Sequence, residues 1–463
     1  MIFEPICALA TPFGIGAISV IRVSGETCFE LLDKITTTKT KLEQCKANSL
    51  FYTKISASDG FIIDEVIISV FKAPYSFTGE NVCEISTHGG IFVTNKVIER
   101  LLEVGFKMAE KGEFSRRAFL NKKIDLVKAE SINDMIFAKS DSARIIASYG
   151  LTGQQQKPFY LIKEELELLI NNILVNIDYP EYEDLPEVNV QEYLKIIKKI
   201  QELIKKILGT SEDIEALKNG INTLILGKPN TGKSSLLNLL LGKQKAIVSS
   251  ISGTTRDLIE ESVLLDGIML NLVDSAGITN TSDEIEQIGI KLAFKQLKKA
   301  AVVLYLVDIS VGLDKTDLKN IKKILAKNIP LIIIYNKKDL VEEFEIDRSL
   351  VNANIKQLTF QTNVKTYVKK LTNSIKEAVN LQTLEQLNLK NDIFLTTSAR
   401  QTALLKESML LLKKTVLDIN NNLFEDVYVL NLKLCHKKIC DILGLNFDDE
   451  LINDLFSRFC IGK

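Results

Sequence analysis

The sequence predicts a multidomain α/β plus all-α protein, with a doubly wound, mostly parallel sheet inserted into a helical domain and a small α/β domain in front. Three observations predict it. Strand-like runs at 222–226, 270–273, 301–307 and 331–335 alternate with helical stretches, the pattern of a parallel, doubly wound sheet. Ahead of that block, Leu194, Ile197, Ile200, Leu203, Ile204 and Ile207 recur at spacings of three and four, with lysines on the other face, as in an amphipathic helix. Before about residue 118, short β-rich runs at 17–21 and 65–71 are broken by glycine turns.

In order along the chain these textures give an α/β domain over 1–118, a first helical part over 119–217, the inserted sheet domain over 218–379, and a second helical part over 380–463. Insertion into a helical domain is tolerated where the two chain ends at the insertion point lie close together. No internal repeat or low-complexity segment is present.

Composition narrows the class. The 463 residues are 46% hydrophobic and 25% charged, with formal net charge −1, the balance of a soluble globular protein. Nucleic-acid contact would therefore need a local basic patch. No apolar run is long enough to span a bilayer, no export leader opens the chain, and the seven cysteines lack CxxC spacing. A cytoplasmic protein with reduced thiols and no membrane association is expected.

The inserted block carries the chemistry. Gly227-Lys228-Pro229-Asn230-Thr231-Gly232-Lys233-Ser234 follows a strand and precedes a helix at 235–241. Glycines let backbone N–H groups turn onto phosphates, and the helix N-terminus adds its dipole. Lys233 suits the β and γ phosphates, and Ser234 suits magnesium. Downstream, Asp274-Ser275-Ala276-Gly277 ends the strand 270–273, where an acid can hold the magnesium shell and an amide the γ-phosphate. Between them, Gly253-Thr254-Thr255-Arg256-Asp257 offers a further hydroxyl ligand. Asn336-Lys337-Lys338-Asp339 follows the strand 331–335, and the Asp339 carboxylate can accept from guanine N1 and N2, a pairing adenine cannot offer. Four elements in this order predict a P-loop GTPase domain. For the fifth, guanine-contacting loop, Thr359-Phe360-Gln361 is better placed than Ser398-Ala399-Arg400, which opens a helical run.

Ile278 stands where many GTPases place a water-orienting glutamine, so another group must position water. Asp283, Glu284 and Glu286 are the nearby acids; Asn230 and Arg256 are also available. By composition alone the acids read first as a solvated helix face, and Asn230 and Arg256 as structural residues.

Taken together, these motifs resemble the tRNA-modification GTPase MnmE (TrmE) family. The resemblance extends over nearly the whole chain: Thr11-Pro12-Phe13-Gly14-Ile15-Gly16, Arg22-Val23-Ser24-Gly25, Ser76-Phe77-Thr78-Gly79-Glu80, Thr87-His88-Gly89-Gly90, the stretch from Gly112-Glu113-Phe114 to Asn121, and the ending Cys460-Ile461-Gly462-Lys463. It implies a homodimer joined through a folate-binding N-terminal domain, and GTP hydrolysis activated by potassium. Asn230, Ser249, Ile251 and Thr254 would hold potassium, and Ser234 and Thr255 magnesium. GTP would be lined by Thr231, Gly232, Lys233 and Ser235, by Ser250, Ser252 and Gly253, by Asp274 to Gly277, and by Asn336, Lys337 and Asp339. Glu286 matches the water-orienting acid, and Cys460 is a candidate in the modification chemistry.

Arg22, Glu84, Lys123 and Lys463 are implied in binding a 5-formyl- or 5,10-methylene-tetrahydrofolate; read alone, Arg22 and Glu84 could be a structural pair. The implied partner is the FAD-dependent MnmG (GidA), in a heterotetramer. The implied product is an aminomethyl-type (carboxymethylaminomethyl) group at C5 of the wobble uridine, position 34, of certain tRNAs. Ser275, Lys122, Thr279 and the Thr359 to Gln361 loop depart from the family pattern. The competing reading is a ribosome-assembly or translation GTPase acting as a binding switch, which would lack Arg22, residues 112–121 and the terminal motif. The lysine face of 195–206 reads as a solvated surface, and His436 beside Cys435 and Cys440 lacks the further ligands a metal site needs. His88, beside two glycines, stays open between a catalytic and a turn role.

Overall fold

The computed structural model describes residues 3–37, 40–178, 190–242, 260–273, 297, 299–341, 355–360, 366–381, 395–446 and 449–462. Contacts divide the chain into two units, Met1–Asn133 with Lys433–Lys463, and Asp134–Leu432.

In the first unit, β1 (Ile6–Leu9), β2 (Ile18–Ser24), β3 (Ser49–Ser56), β4 (Ile62–Phe71), β5 (Val82–His88) and β6 (Lys107–Met108) form one sheet in the order β3-β4-β5-β2-β1-β6. Its pairs are antiparallel except β1 with β6. Alternation decides the faces. Val66, Ile68 and Val70 of β4 point into a core shared with Ile21, Val23, Ile85, Val97 and Leu101, under α1 (Cys28–Asp33) and α2 (Ile91–Glu103). On the opposite face Ile6 and Ala8 pack with Ala109 and Phe114, while Ile18, Leu50, Tyr52 and Ile67 are exposed.

Next come α3 (Glu113–Leu120) and α4 (Leu126–Phe137). Phe119, Leu126 and Ala129 bury against Ile452, Phe456 and Phe459 from the far end of the sequence. Each buried large apolar side chain there contributes roughly 1.5–3 kcal/mol. Two glycines permit the approach. Gly112, at φ 67°, lies where a Cβ would sit 2.4 Å from the Phe456 carbonyl, and Gly462, at φ 85°, where one would sit 2.5 Å from the Leu9 carbonyl.

In the second unit, α5 (Asp141–Leu151), α6 (Lys157–Asp178), α7 (Val190–Gly209) and α8 (Ser211–Asn219) precede the second sheet. The heptad-like stripe of α7 is buried at Ile197, Ile200, Ile204 and Ile207. That stripe packs against α6 and against α12 (Ala399–Asn420), which lies beyond the sheet in sequence. Gln155, buried, donates to Thr397 (3.0 Å) and Gln401 (3.2 Å), joining the stretches before and after the insertion. The chain leaves this unit along α13 (Glu425–Leu443), and α14 (Asp449–Ser457) belongs to the first unit.

The sheet contains β7 (Ile221–Gly227), β8 (Glu260–Leu265), β9 (Ile268–Val273), β10 (Val302–Asp308), β11 (Leu331–Asn336) and β12 (Ile355–Phe360), with α9 (Lys233–Leu241), α10 (Lys315–Leu325) and α11 (Thr366–Ala378). Strand order is β12-β11-β10-β7-β9-β8, parallel throughout except β8 against β9. Val302, Leu304 and Leu306 meet Leu236 and Leu240 of α9 and Leu371 and Ile375 of α11. Val303, Tyr305 and Val307, one register off, meet Ile321 and Ile324 of α10. Both faces are covered, so the fold class is the expected mixture of helical layers and a doubly wound sheet. Among the described residues no helix is long and apolar enough to cross a membrane.

Gly112→Ala should cost about 2–4 kcal/mol through the left-handed backbone and the clash with the Phe456 carbonyl. Hydrogen exchange should show residues 449–462 released first; unchanged protection there would contradict this packing account.

Candidate functional site

Strand order sets the site. From β7 the chain continues through β8 and β9 on one side, then crosses to β10 on the other, so connections diverge between β7 and β10. A crevice forms beyond the carboxyl ends of parallel strands at such a switch point. The loop from Gly227 to Gly232 lies there, between β7 and α9. Gly227 (φ 151°) leaves a Cβ no room beside the Leu306 carbonyl, 2.5 Å away, and Gly232 (φ 94°) none beside the Asn336 amide nitrogen, 2.1 Å away. Asn230 takes φ 61°, which asparagine tolerates better than most residues.

Thr231 is buried and its hydroxyl donates to the Lys228 carbonyl (2.9 Å). The Lys233 ammonium donates to the carbonyls of Gly227 (2.9 Å) and Lys228 (2.5 Å). Ser234 and Ser235 are exposed in the first turn of α9, and Gly232 offers no side chain to cap it. First-turn N–H groups of that kind, unclaimed by a cap, favour an anion.

At the tip of β11, Asn336 is 1% exposed. Its amide donates to the Thr231 carbonyl (2.8 Å), and its own carbonyl accepts from Ile309 N–H (3.0 Å). The side-chain oxygen of Asn336 has no partner among the described residues. Lys337, in the left-handed region, donates to Asp308 at the tip of β10 (2.5 Å). Burial alone pushes the Asp308 carboxyl up, but hydrogen bonds from Lys337 and Ser310 outweigh it and hold it below the usual range. Asp339 stands exposed in the short turn Lys338–Leu340. Thr359 and Phe360 end β12 directly beside Tyr335 and Asn336. Ser398 instead accepts from Gln401 N–H as the N-cap of α12, which accounts for the serine there.

Of the remaining candidates, Ser249, Ser250, Ile251, Ser252, Gly253, Thr254, Thr255, Asp274, Ser275, Ala276, Gly277, Glu286 and Lys463 lie outside the described residues. So do Arg256, Ile278, Asp283, Glu284 and Gln361. β9 ends at Val273, one residue before Asp274.

In the first unit, Arg22 and Glu84 are register partners on β2 and β5. Arg22 Nε and Nη2 both donate to Glu84 Oε1 (3.0 and 2.8 Å), and Nη1 donates to the Gly462 carbonyl (3.1 Å). Its guanidinium lies 5.6 and 5.8 Å from the Phe77 and Phe114 ring centroids. Lys123 donates to the Pro74 carbonyl (2.8 Å) and is exposed. Cys460 is partly buried, and its carbonyl accepts from Gly112 N–H (3.2 Å).

Sequence reasoning missed several partnerships. Asp64, 8% exposed, receives His88 N–H (2.8 Å) and the His88 ring (2.6 Å). Arg117, buried, pairs with Glu80 (3.1 Å) and Glu113 (2.7 Å). Lys228 pairs with Asp314 (2.5 Å) and Asp317 (2.8 Å). The i,i+4 spacing of Glu113 and Arg117 within α3 and the Asp-x-x-Asp spacing at the start of α10 left local signals. The pairings of Asp64 with His88, Arg117 with Glu80 and Lys228 with the two aspartates did not.

A family model described as "GTP-binding protein TrmE N-terminus" matches residues 5–123, and one described as "MnmE helical domain" matches residues 126–460. Along its length the chain is similar to the tRNA modification GTPase MnmE of Malacoplasma penetrans (strain HF-2), 41% identical over 460 residues, 99% of this chain and 100% of that protein. It is also similar to that of Acholeplasma laidlawii (strain PG-8A), 41% identical over 464 residues and 100% of both. The Lactobacillus acidophilus protein is 37% identical over 464 residues, 100% of this chain and 98% of that protein.

Gly232→Ala would drive a Cβ into the Asn336 amide and break its bond to Thr231. Fluorescent-nucleotide titration should show triphosphate binding lost by about 100-fold or more, with the helical domain still folded by circular dichroism; wild-type affinity would contradict the geometry.

Proposed function

The chain belongs to the tRNA modification GTPase MnmE family, and we propose that it is a potassium-activated GTP hydrolase that works with the FAD-dependent MnmG (GidA). Together they add an aminomethyl-type group to C5 of the wobble uridine of certain tRNAs, from a tetrahydrofolate one-carbon unit. The observation that carries the nucleotide half of this reading is the Asn336–Thr231 hydrogen bond, which links the guanine-reading strand to the phosphate loop at 2.8 Å.

In this account the phosphates lie over the loop N–H groups and the start of α9. Lys233 exchanges the carbonyls of Gly227 and Lys228 for β and γ phosphate oxygens, one set of acceptors for another. Asp339 accepts from guanine N1 and N2. Ser234, exposed in the first turn of α9, and Thr255 fit a hard cation such as magnesium, which takes oxygen donors. Asn230, exposed and at φ 61°, would hold a larger monovalent ion together with oxygens of Ser249, Ile251 and Thr254. When bound, these ions supply the positive charge that an arginine finger supplies in other GTPases. Glu286 orients the attacking water where Ile278 cannot.

For the folate, Arg22, Glu84, Lys123 and Lys463 form the proposed set. Both Arg22 bonds fall on Glu84 Oε1, so among the described residues Oε2 is open to the amino and N–H donors of a pterin edge. The rings of Phe77 and Phe114 beside Arg22 suit a flat heterocycle. Cys460, close to Gly112, is the proposed thiol of the modification chemistry. The exposed apolar residues Ile18, Leu50, Tyr52 and Ile67 on one sheet face suit a homodimer formed through this unit, with two MnmG subunits completing a heterotetramer in the cytoplasm.

GTP turnover should rise by about tenfold or more when KCl replaces NaCl. Glu286→Ala should abolish turnover while leaving GTP binding intact. Equal rates in the two salts would contradict the potassium mechanism, and full activity of the variant would remove Glu286 from it.

A further inference from the structure

We propose that Lys228 is a positioning residue for triphosphate binding: its side chain moors the phosphate loop to the start of α10, and its carbonyl sets where Lys233 rests. The inference depends on the reading of that loop as the triphosphate cradle.

Lys228 is the second residue of the loop, and its ammonium reaches Asp314 (2.5 Å) and Asp317 (2.8 Å). Neither carboxylate is free to follow a moving lysine. Asp314 caps α10, accepting from Thr316 N–H (2.8 Å) and Asp317 N–H (2.9 Å). Asp317 closes the capping box by accepting from Asp314 N–H (3.1 Å), and its other oxygen accepts from the buried Tyr305 hydroxyl of β10 (2.8 Å). A capping box of this kind fixes the first helical turn, so Lys228 is tied to a rigid point. Burial alone pushes its ammonium down, but the two carboxylates outweigh that and hold it above the ordinary lysine value.

The main chain of the same residue is equally engaged. Its carbonyl accepts from Thr231 Oγ1 (2.9 Å) and Lys233 Nζ (2.5 Å), and the Thr231 carbonyl in turn accepts from Asn336 (2.8 Å). The capping box, Lys228, Thr231 with Lys233, and Asn336 therefore stand in series. Pro229, next in the chain, restricts one backbone dihedral, so a displaced Lys228 carries the loop with it. Two ammonium protons are spent on Asp314 and Asp317, so the charge of Lys228 goes into holding the loop. Placement matters because a misplacement of about 1 Å can cost on the order of 100-fold.

The competing role is purely structural: Lys228 as counter-ion to the buried Asp317. Full-length variants separate the two, using thermal unfolding without nucleotide, equilibrium GTP binding and steady-state kinetics. Lys228→Met should weaken GTP binding about tenfold and raise KM more than it lowers kcat, while Lys228→Arg stays near wild type. Adding Asp317→Asn to Lys228→Met removes the uncompensated buried charge, and its amide oxygen can still accept from Asp314 N–H; stability should return and GTP affinity should not. Affinity that returns with stability would overturn the inference. So would wild-type affinity in Lys228→Met when Lys233→Ala has lost binding. Wild-type affinity in Lys233→Ala would overturn the cradle reading, and this inference with it.

Discussion

The hydrogen bond from the Asn336 amide to the Thr231 carbonyl, buried and 2.8 Å long, joins the end of one strand to the loop after another. It forms only because β10 lies between β7 and β11 in strict parallel register, with Leu306 beside Gly227 and Asp308 beside Asn336. It also requires Gly232, since any Cβ there would occupy the place of the amide. A buried amide deprived of its acceptor costs on the order of 1–3 kcal/mol, so loop and strand are stable only in each other's company. The shape of the cradle is thus inherited from sheet register rather than from the loop sequence alone.

That dependence explains what could be read in advance. Strands of a sheet covered on both faces are nearly continuous apolar runs, so 301–307 and 331–335 stood out, and β10 and β11 differ from them by a residue or so at either end. The glycines of the phosphate loop were legible because close approach and left-handed backbone exclude side chains. Ion pairs across the sheet were not: Lys228 with Asp314, and Lys337 with Asp308, join residues far apart in sequence whose types are common on any surface. Ser398-Ala399-Arg400 shows the reverse problem, a short string with the composition of a guanine loop that serves as a helix cap.

In the first unit, the pairing of Arg22 with Glu84 follows from β2 and β5 being neighbours, a register that sequence could not supply. The terminal segment was recognisable by resemblance, yet its engagement was not. Gly112 and Gly462 each make a backbone approach too close for a side chain, and Arg22 holds the Gly462 carbonyl. The last residues are thereby built beside the pair proposed for folate.

The central claim is that this nucleotide machinery serves tRNA modification, and mass spectrometry of wobble uridines tests it most directly. In tRNA from cells lacking the protein, the C5 modification should disappear, return with the wild-type gene, and stay absent with Lys233→Ala. Wobble uridines that remain fully modified without the protein would contradict the account.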